Sequence, residues 1–341
     1  MNQPKNYQTP EVLPANDKAL NVAALLLDRG GIAGIPTETV YGLAADATNG
    51  EAVASIYAAK GRPQFNPLIS HVDSIDMARR YARFDARAEQ LAQLFWPGSL
   101  TLVLPKQQNC EVSELVTAGL DTIALRCPNN DFTQKLISKL GRPLAAPSAN
   151  PSGQLSPTSA LAVRDVFSRQ ELPLVVNGGT CSVGLESTIV SCVPGSPLSI
   201  LRPGAITLED LQGIFGDDVQ VHVATSHDQS QPAAPGMLLS HYAPNAKLVF
   251  ASVGDEIGYG RTLLTFSGVK LAKESQDNLV AQMDLSPSGD IKEAASNLFS
   301  MLRELDANAP EIIHVIPPLQ VGLGVAIHDR LQRAAAPRIN D

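Results

Sequence analysis

Residues 34–72 read GIPTETVYGLAADATNGEAVASIYAAKGRPQFNPLISHV, and the order of elements in this stretch decides the fold. The apolar run Gly31-Ile32-Ala33-Gly34-Ile35 has the length of a buried strand. Pro36 breaks it into a hydroxyl-rich turn carrying Thr37, Glu38, Thr39 and Tyr41. Ala52–Ala59 follows, with Val53, Ile56 and Tyr57 at helical spacing, and Lys60-Gly61-Arg62-Pro63 ends that helix. A second apolar run, Pro67-Leu68-Ile69, leads to His71. Two cations where a helix stops, beside a polar turn at a strand end, make a candidate anion pocket. The same cations would also complement the negative end of the helix dipole, and Thr37 and Thr39 would also satisfy turn backbone.

Working outward, 341 residues are long for one core and favour two domains. A hydrophobic content of 44% marks a soluble globular protein. No run of eighteen apolar residues exists, so no membrane span is expected. The N-terminal MNQPKNYQTPEVLP lacks the apolar core of a signal peptide, which makes the expected location cytoplasmic. A net charge of −8 argues against a surface coated for nucleic acid, although a local basic cleft is compatible with it. Cys110, Cys127, Cys181 and Cys192 form no C-x-x-C pair, so they read as small buried residues rather than a zinc site or a disulfide framework.

Helices are expected over residues 17–29, 73–83, 87–95, 131–140 and from Ser156 through Val166. Ser99–Leu104, Thr122–Cys127, a short piece at Leu144, Leu174–Val176, the end of Gly184–Val190 and Leu198–Leu201 read as strands. Arg126 and Arg202 each close a strand before a proline, so Lys60, Arg62, Arg126 and Arg202 all fall at element ends. Ligands of α/β sheets gather outside the strand carboxyl ends, and this pattern hints at a polyanionic ligand. Arg126 could equally cap a sheet edge or grip a carboxylate with its fork. The small residues Ala146-Pro147-Ser148-Ala149-Asn150 would let backbone and hydroxyl donors approach a ligand.

From residue 213 to 245 the composition turns to Ser, Gln, Pro and Ala and reads as a linker. Pro235-Gly236-Met237 and Ser240-His241-Tyr242-Ala243-Pro244 within it suggest a segment that docks as a lid. Strands at 247–251, 261–266 and 312–316, with helices at 289–305 and 323–334, make a second α/β unit in which no chemistry stands on its own. The expected division is 1–212 for the first domain, 213–245 for the linker and 246–341 for the last.

Pro36-Thr37-Glu38-Thr39-Val40-Tyr41-Gly42-Leu43, Lys60-Gly61-Arg62-Pro63, Asn66-Pro67-Leu68, Pro147-Ser148-Ala149-Asn150, Gly184-Leu185-Glu186-Ser187-Thr188 and Arg202-Pro203-Gly204 together resemble the YrdC/Sua5 family. Ser240-His241-Tyr242-Ala243-Pro244 and the tail from Gly322 to Arg330 resemble its longer, two-domain Sua5 type. The resemblance covers nearly the whole chain in order. It implies an α/β fold, a twisted open mixed sheet with a concave basic cleft, plus a small Rossmann-like C-terminal domain. It also implies L-threonylcarbamoyladenylate synthase activity: L-threonine, bicarbonate or carbon dioxide and ATP would give threonylcarbamoyl-AMP and pyrophosphate.

The product would pass to a separate tRNA threonylcarbamoyl transferase complex acting on adenosine 37 of ANN-decoding tRNAs. Under this resemblance Lys60 and Arg62 neutralise the phosphates, with Mg²⁺ carried by ATP rather than by protein side chains. ATP is placed near Arg62, Asn66, Thr122, Ser148, Asn150, Ser156, Arg202 and Ser240. L-threonine is placed near Thr39, His71, Arg126, Ala146 and Ser187, while His241 and Tyr242 belong to the lid. Two other classes remain on the sequence: a tRNA or double-stranded RNA binding module, and a carbamoyltransferase-type enzyme related to hydrogenase maturation factors. Overall acidity disfavours the first, and the lack of a C-x-x-C pair disfavours the second.

Overall fold

The strand-like runs collect into two sheets in a computed structural model that describes residues 9–222, 232–237, 241–255, 261–269 and 279–337. The first unit begins with β1 (Glu11–Pro14), α1 (Asp17–Asp28), β2 (Ala33–Ile35), β3 (Gly42–Asp46), α2 (Gly50–Lys60) and β4 (Ile69–His71). It continues through α3 (Ile75–Arg79), α4 (Ala86–Phe95), β5 (Leu100–Pro105), α5 (Glu114–Thr117), β6 (Thr122–Arg126) and α6 (Asp131–Leu140). β7 (Leu144–Ala145), α7 (Ala160–Arg164), β8 (Leu174–Asn177), β9 (Thr188–Ser191), β10 (Leu198–Arg202), α8 (Leu208–Phe215) and β11 (Val219–Val221) complete it. Among the described residues these strands form one eleven-stranded sheet in the order β1-β8-β2-β3-β7-β4-β6-β5-β9-β10-β11. It is mixed: β4 runs parallel to β6 with His71 opposite Arg126, whereas β6 and β5 are antiparallel.

Two-residue alternation along β6 separates core from cleft. Ile123 and Leu125 enter the main apolar core, Ala124 joins a small cluster on the opposite face, and Arg126 shares the Ala124 face. The organising helix α2 starts where the Asn49 side chain accepts the amides of Glu51 and Ala52. It stops where Gly61 takes a left-handed φ of 58°. That stop aims Lys60 and Arg62 toward the sheet.

The second unit holds β12 (Lys247–Phe250), β13 (Arg261–Thr265), β14 (Leu279–Asp284), α9 (Ile291–Ala307), β15 (Ile312–Val315) and α10 (Leu323–Ala335). Its four described strands are all parallel, in the order β12-β15-β13-β14. A second apolar core gathers Leu298, Phe299, Leu302 and Ile327 from its helices with Val40, Leu155, Leu185 and Tyr242 from earlier in the chain. The two units therefore share packed side chains. At the seam a Cβ on Gly184 would lie 2.4 Å from the Ser296 Cα, so only glycine fits there.

Several boundaries differ from the sequence reading. β3 passes unread because Gly-Leu-Ala-Ala-Asp has no β-branched residue to announce a strand. The helix read from Ser156 begins only at Ala160, after the Ser159 side chain caps it. The segment read as linker from residue 213 opens with ordered elements, because α8 ends at Phe215 and β11 pairs in parallel with β10. Cys127, Cys181 and Cys192 are buried, and burial pushes their thiols up to about 12. No helix among the described residues is long and apolar enough to cross a membrane.

Candidate active site

Arg62, Arg126 and Arg202 line one cavity of about 40 Å³, together with Thr39, His71, Ala146, Ser148, Ser187, His241 and Tyr242. Ten of the residues singled out by sequence thus meet at one place. Lys60, Asn66, Asn150 and Ser156 stand one layer behind, each in contact with the lining or its immediate supports. Thr122 lies at the opposite end of β6, roughly 13 Å along the strand from Arg126. Ser240 falls outside the described residues.

The cations are not the exposed element ends expected from sequence. Lys60 is 3% exposed and Arg62 7%. The Lys60 ammonium donates to the carbonyls of Ser148 and Asn150, and so ties the small-residue loop to the end of α2. Desolvation, reinforced by neighbouring Arg62, lowers the Lys60 pKa well below its ordinary value, with Glu186 opposing. Arg62 donates through Nε to the Asn66 carbonyl at 3.1 Å, and through Nη2 to Asn66 Oδ1 at 2.6 Å and the Pro67 carbonyl at 2.8 Å. Burial brings its pKa down to about 10. Arg202 donates to the carbonyl and hydroxyl of Ser187, both at 3.1 Å, and to the Pro235 carbonyl at 3.3 Å.

The amino-acid end has a fixed hydrogen-bond polarity. Thr37 Oγ1 donates to the Val40 carbonyl at 2.6 Å, which uses its only proton. The 2.9 Å contact between the two hydroxyls must then run from Thr39 to Thr37. Arg126 Nη1 donates to Thr39 Oγ1 at 2.8 Å. Toward a ligand, Thr39 can therefore only accept.

Sequence reasoning missed two buried acids and one arginine. Glu38 pairs with Arg126 at 2.7 Å. Glu186 lines the cavity, receives the Ser156 hydroxyl, and meets Arg330 Nε from α10 at 2.8 Å. Burial works to raise the Glu186 carboxyl, but Arg330, Arg202 and Ser156 overcome it and hold the pKa below its usual value. An acid inside each polar turn was the available signal. Arg330 closes the recognised tail motif, but nothing there ties it to Glu186, 144 residues away.

The described part of the segment read as a lid borders the cavity through Pro235, Gly236, His241 and Tyr242. Ala234 and Met237 cover Ile69, Val103, Ala124, Ile189 and Leu201 on the cleft face of the sheet. Gly236 threads between Arg202 and Tyr242, where a Cβ would come within 2.8 Å of Arg202 Cδ. Tyr242 adopts φ 63°, rare for a bulky residue, and is held between Phe299 at 5.6 Å and Arg330 at 5.2 Å. The His241 and Tyr242 rings meet edge-on at 4.0 Å.

Buried polar atoms without protein partners cluster here: Asn66 Nδ2, His71 Nδ1, Asn150 Oδ1 and His241 Nδ1. Such atoms are rare in native interiors and point to a ligand. Desolvation, then Arg126, lowers the His71 pKa to about 3. Burial, then Arg62 and Lys60, lowers His241 as well. Both rings are neutral when folded, so their contribution is fully present above the unfolded histidine pKa and is lost as pH falls below it. A histidine with a folded pKa near 3 should add a slope of about 1.4 kcal/mol per pH unit between roughly pH 6 and pH 4. Urea midpoints should therefore fall across that window, and His71→Gln should flatten the slope by about one proton's worth. An unchanged slope in that variant would show that His71 is protonated in the folded protein.

Both units of the chain resemble known proteins. The Sua5_yciO_yrdC family model, described as telomere recombination, matches residues 25–204. A model for the threonylcarbamoyl-AMP synthase C-terminal domain matches residues 206–336. The chain is 37% identical to a threonylcarbamoyl-AMP synthase of Pyrococcus abyssi, over 94% of this chain and 95% of that one. It is also 37% identical to a Bacillus subtilis protein of the same name, over 96% of each. A crystal structure of P. abyssi Sua5 complexed with L-threonine superposes with a TM-score of 0.84 at 36% identity, covering 95% of this chain and 97% of that one. With family models matched in sequence over both units and a solved Sua5 structure sharing the fold, the chain belongs to the Sua5/YciO/YrdC family in its two-domain, Sua5-type form.

Proposed function

We propose that this protein is an L-threonylcarbamoyladenylate synthase, forming threonylcarbamoyl-AMP and pyrophosphate from L-threonine, carbon dioxide or bicarbonate, and ATP. The product serves threonylcarbamoylation of adenosine 37 in ANN-decoding tRNAs, through a separate transferase complex. The observation that carries this reading is one buried cavity where Arg62, Arg126 and Arg202 converge beside hydroxyls and a neutral histidine. Buried cations are costly unless compensated, and a polyphosphate supplies that compensation.

The reaction joins two anions. The threonine amine gives up a proton and bonds to the carbon of CO₂, making a carbamate. A carbamate oxygen then bonds to the α-phosphorus, and the bond from that phosphorus to the bridging oxygen breaks with its electron pair going to pyrophosphate. No covalent enzyme intermediate is needed; catalysis is positioning and charge stabilisation. Threonine would sit among Thr39, His71, Arg126, Ala146 and Ser187. The acceptor-only hydroxyl of Thr39 and the unpartnered Nδ1 of His71 suit the donors of an amino acid.

ATP would lie along Arg62, Asn66, Ser148, Asn150, Ser156 and Arg202, with Thr122 at the far end; Ser240, the further contact expected from the resemblance, lies outside the described residues. Lys60 acts by holding the Ser148–Asn150 loop in place. His241 and Tyr242 close the cavity and exclude water. Glu38 and Glu186 are both engaged by arginines, which fits Mg²⁺ held by the phosphate oxygens of ATP rather than by a carboxylate cage. Residues up to Val221 would form the catalytic unit, and the unit from 246 would brace the strap.

Pyrophosphate release from ATP tests the reading. It should require threonine and bicarbonate together; release that ignores either one, or no release at all, would overturn it.

A further inference from the structure

The cations around the cavity are not equivalent. The hydrogen bonds of Lys60 and Arg62 go to carbonyls and an amide, and those of Arg202 to carbonyls and a hydroxyl. None of these bonds brings a full negative charge. Arg126 differs, because its Nη2 meets Glu38 Oε1 at 2.7 Å, with the two side chains 4% and 8% exposed. Ser99 Oγ donates to the same oxygen at 3.3 Å, and Glu38 Oε2 has no donor in reach. The guanidinium is fixed on its other sides by the Gly98 carbonyl at 3.1 Å and by Thr39 Oγ1. Arg126 therefore presents a rigid fork of remaining N–H groups whose charge is largely cancelled from behind.

A carboxylate that carries its own ammonium can use such a fork. A multiply charged phosphate gains little from it and is repelled by the acid behind. We propose that Glu38 sorts the two anionic substrates: by neutralising Arg126 it reserves that arginine for the amino-acid carboxylate and leaves the phosphates to Arg62 and Arg202. The inference rests on the adenylate-synthase reading above. Glu38 does not line the cavity, so it is a positioning residue acting through Arg126. A site that must hold two kinds of anion in order needs this repulsive element as well as attractive ones.

The test is Glu38→Gln, which keeps the shape and an oxygen facing Nη2 but removes the charge. In the wild-type protein, inorganic pyrophosphate should compete with ATP and not with threonine. In the variant it should compete with threonine too, raising the apparent threonine KM at least about tenfold at a pyrophosphate concentration that leaves the wild-type value unchanged, a change of about 1.4 kcal/mol. The ATP KM measured without pyrophosphate should stay within about twofold. Glu38→Asp should restore sorting, which a purely structural role would not require. Pyrophosphate that stays non-competitive with threonine in Glu38→Gln, or parallel rises in both KM values, overturns the proposal.

Calorimetry on the wild-type chain gives an answer that does not depend on the variant folding. Threonine and pyrophosphate should bind together, and mutual displacement would also overturn sorting. If the wild-type protein shows no threonine-dependent turnover, the functional reading fails while the calorimetric result still decides the sorting.

Discussion

Arg330→Ala should cost about 3–5 kcal/mol of folding stability, the usual consequence of stripping one partner from a buried ion pair. The side chain is 1% exposed and bonds Glu186 through Nε, Asp329 through Nη1 and the Pro203 carbonyl through Nη2. Its removal leaves the Glu186 carboxylate buried with only Ser156 directly bonded to it. Tyr242 loses the guanidinium stacked on its ring, so the strap loosens and adenylate synthesis should fall with it. Arg330→Met keeps most of the stem's packing and isolates the charge. Urea midpoints and pyrophosphate release decide the matter, and Arg330→Met within about 1 kcal/mol of wild type would mean that the pair holds little.

Arg62→Ala should reduce threonine-dependent pyrophosphate release by roughly 10²–10³-fold, the scale of losing one preorganised donor to developing charge. The guanidinium is already locked onto Asn66 and Pro67, so little reorganisation is left for the moment of reaction. Lys60→Ala should cost a comparable share of activity by another route. It cuts the ties to the Ser148 and Asn150 carbonyls and frees the loop that carries Ser148 into the cavity. Because both residues are buried, thermal melts must accompany the rates. Arg62→Ala with full turnover would remove phosphate neutralisation from the mechanism.

Much of this was legible in the sequence because the chemistry sits at element ends. Gly61, Pro36 and Pro203 punctuate helix and strand, and the cations beside them follow. Burial was not legible. Arg62 reads as exposed because His241 and Tyr242, which line the cavity with it, arrive more than 170 residues later. The β3 strand was hidden by alanines, and β11 by a polar neighbourhood that resembles a linker. Glu38 and Glu186 stood in recognised motifs, but only their ion pairs reveal what they do.

The space beneath Gly236 and Tyr242 is about 40 Å³, against roughly 300–1,000 Å³ for a pocket that holds a small-molecule ligand. On the reading proposed above, ATP would enter and pyrophosphate would leave only once the segment carrying Gly236 and Tyr242 moves aside. Every cycle must then contain an open interval and a sealed one. Carbamates of amino acids shed carbon dioxide readily once their nitrogen is protonated, so the adduct survives only if it is made and used while the mouth is shut. The closing segment would then act as a clock, its dwell time setting how often a fragile adduct reaches phosphorus before it decays.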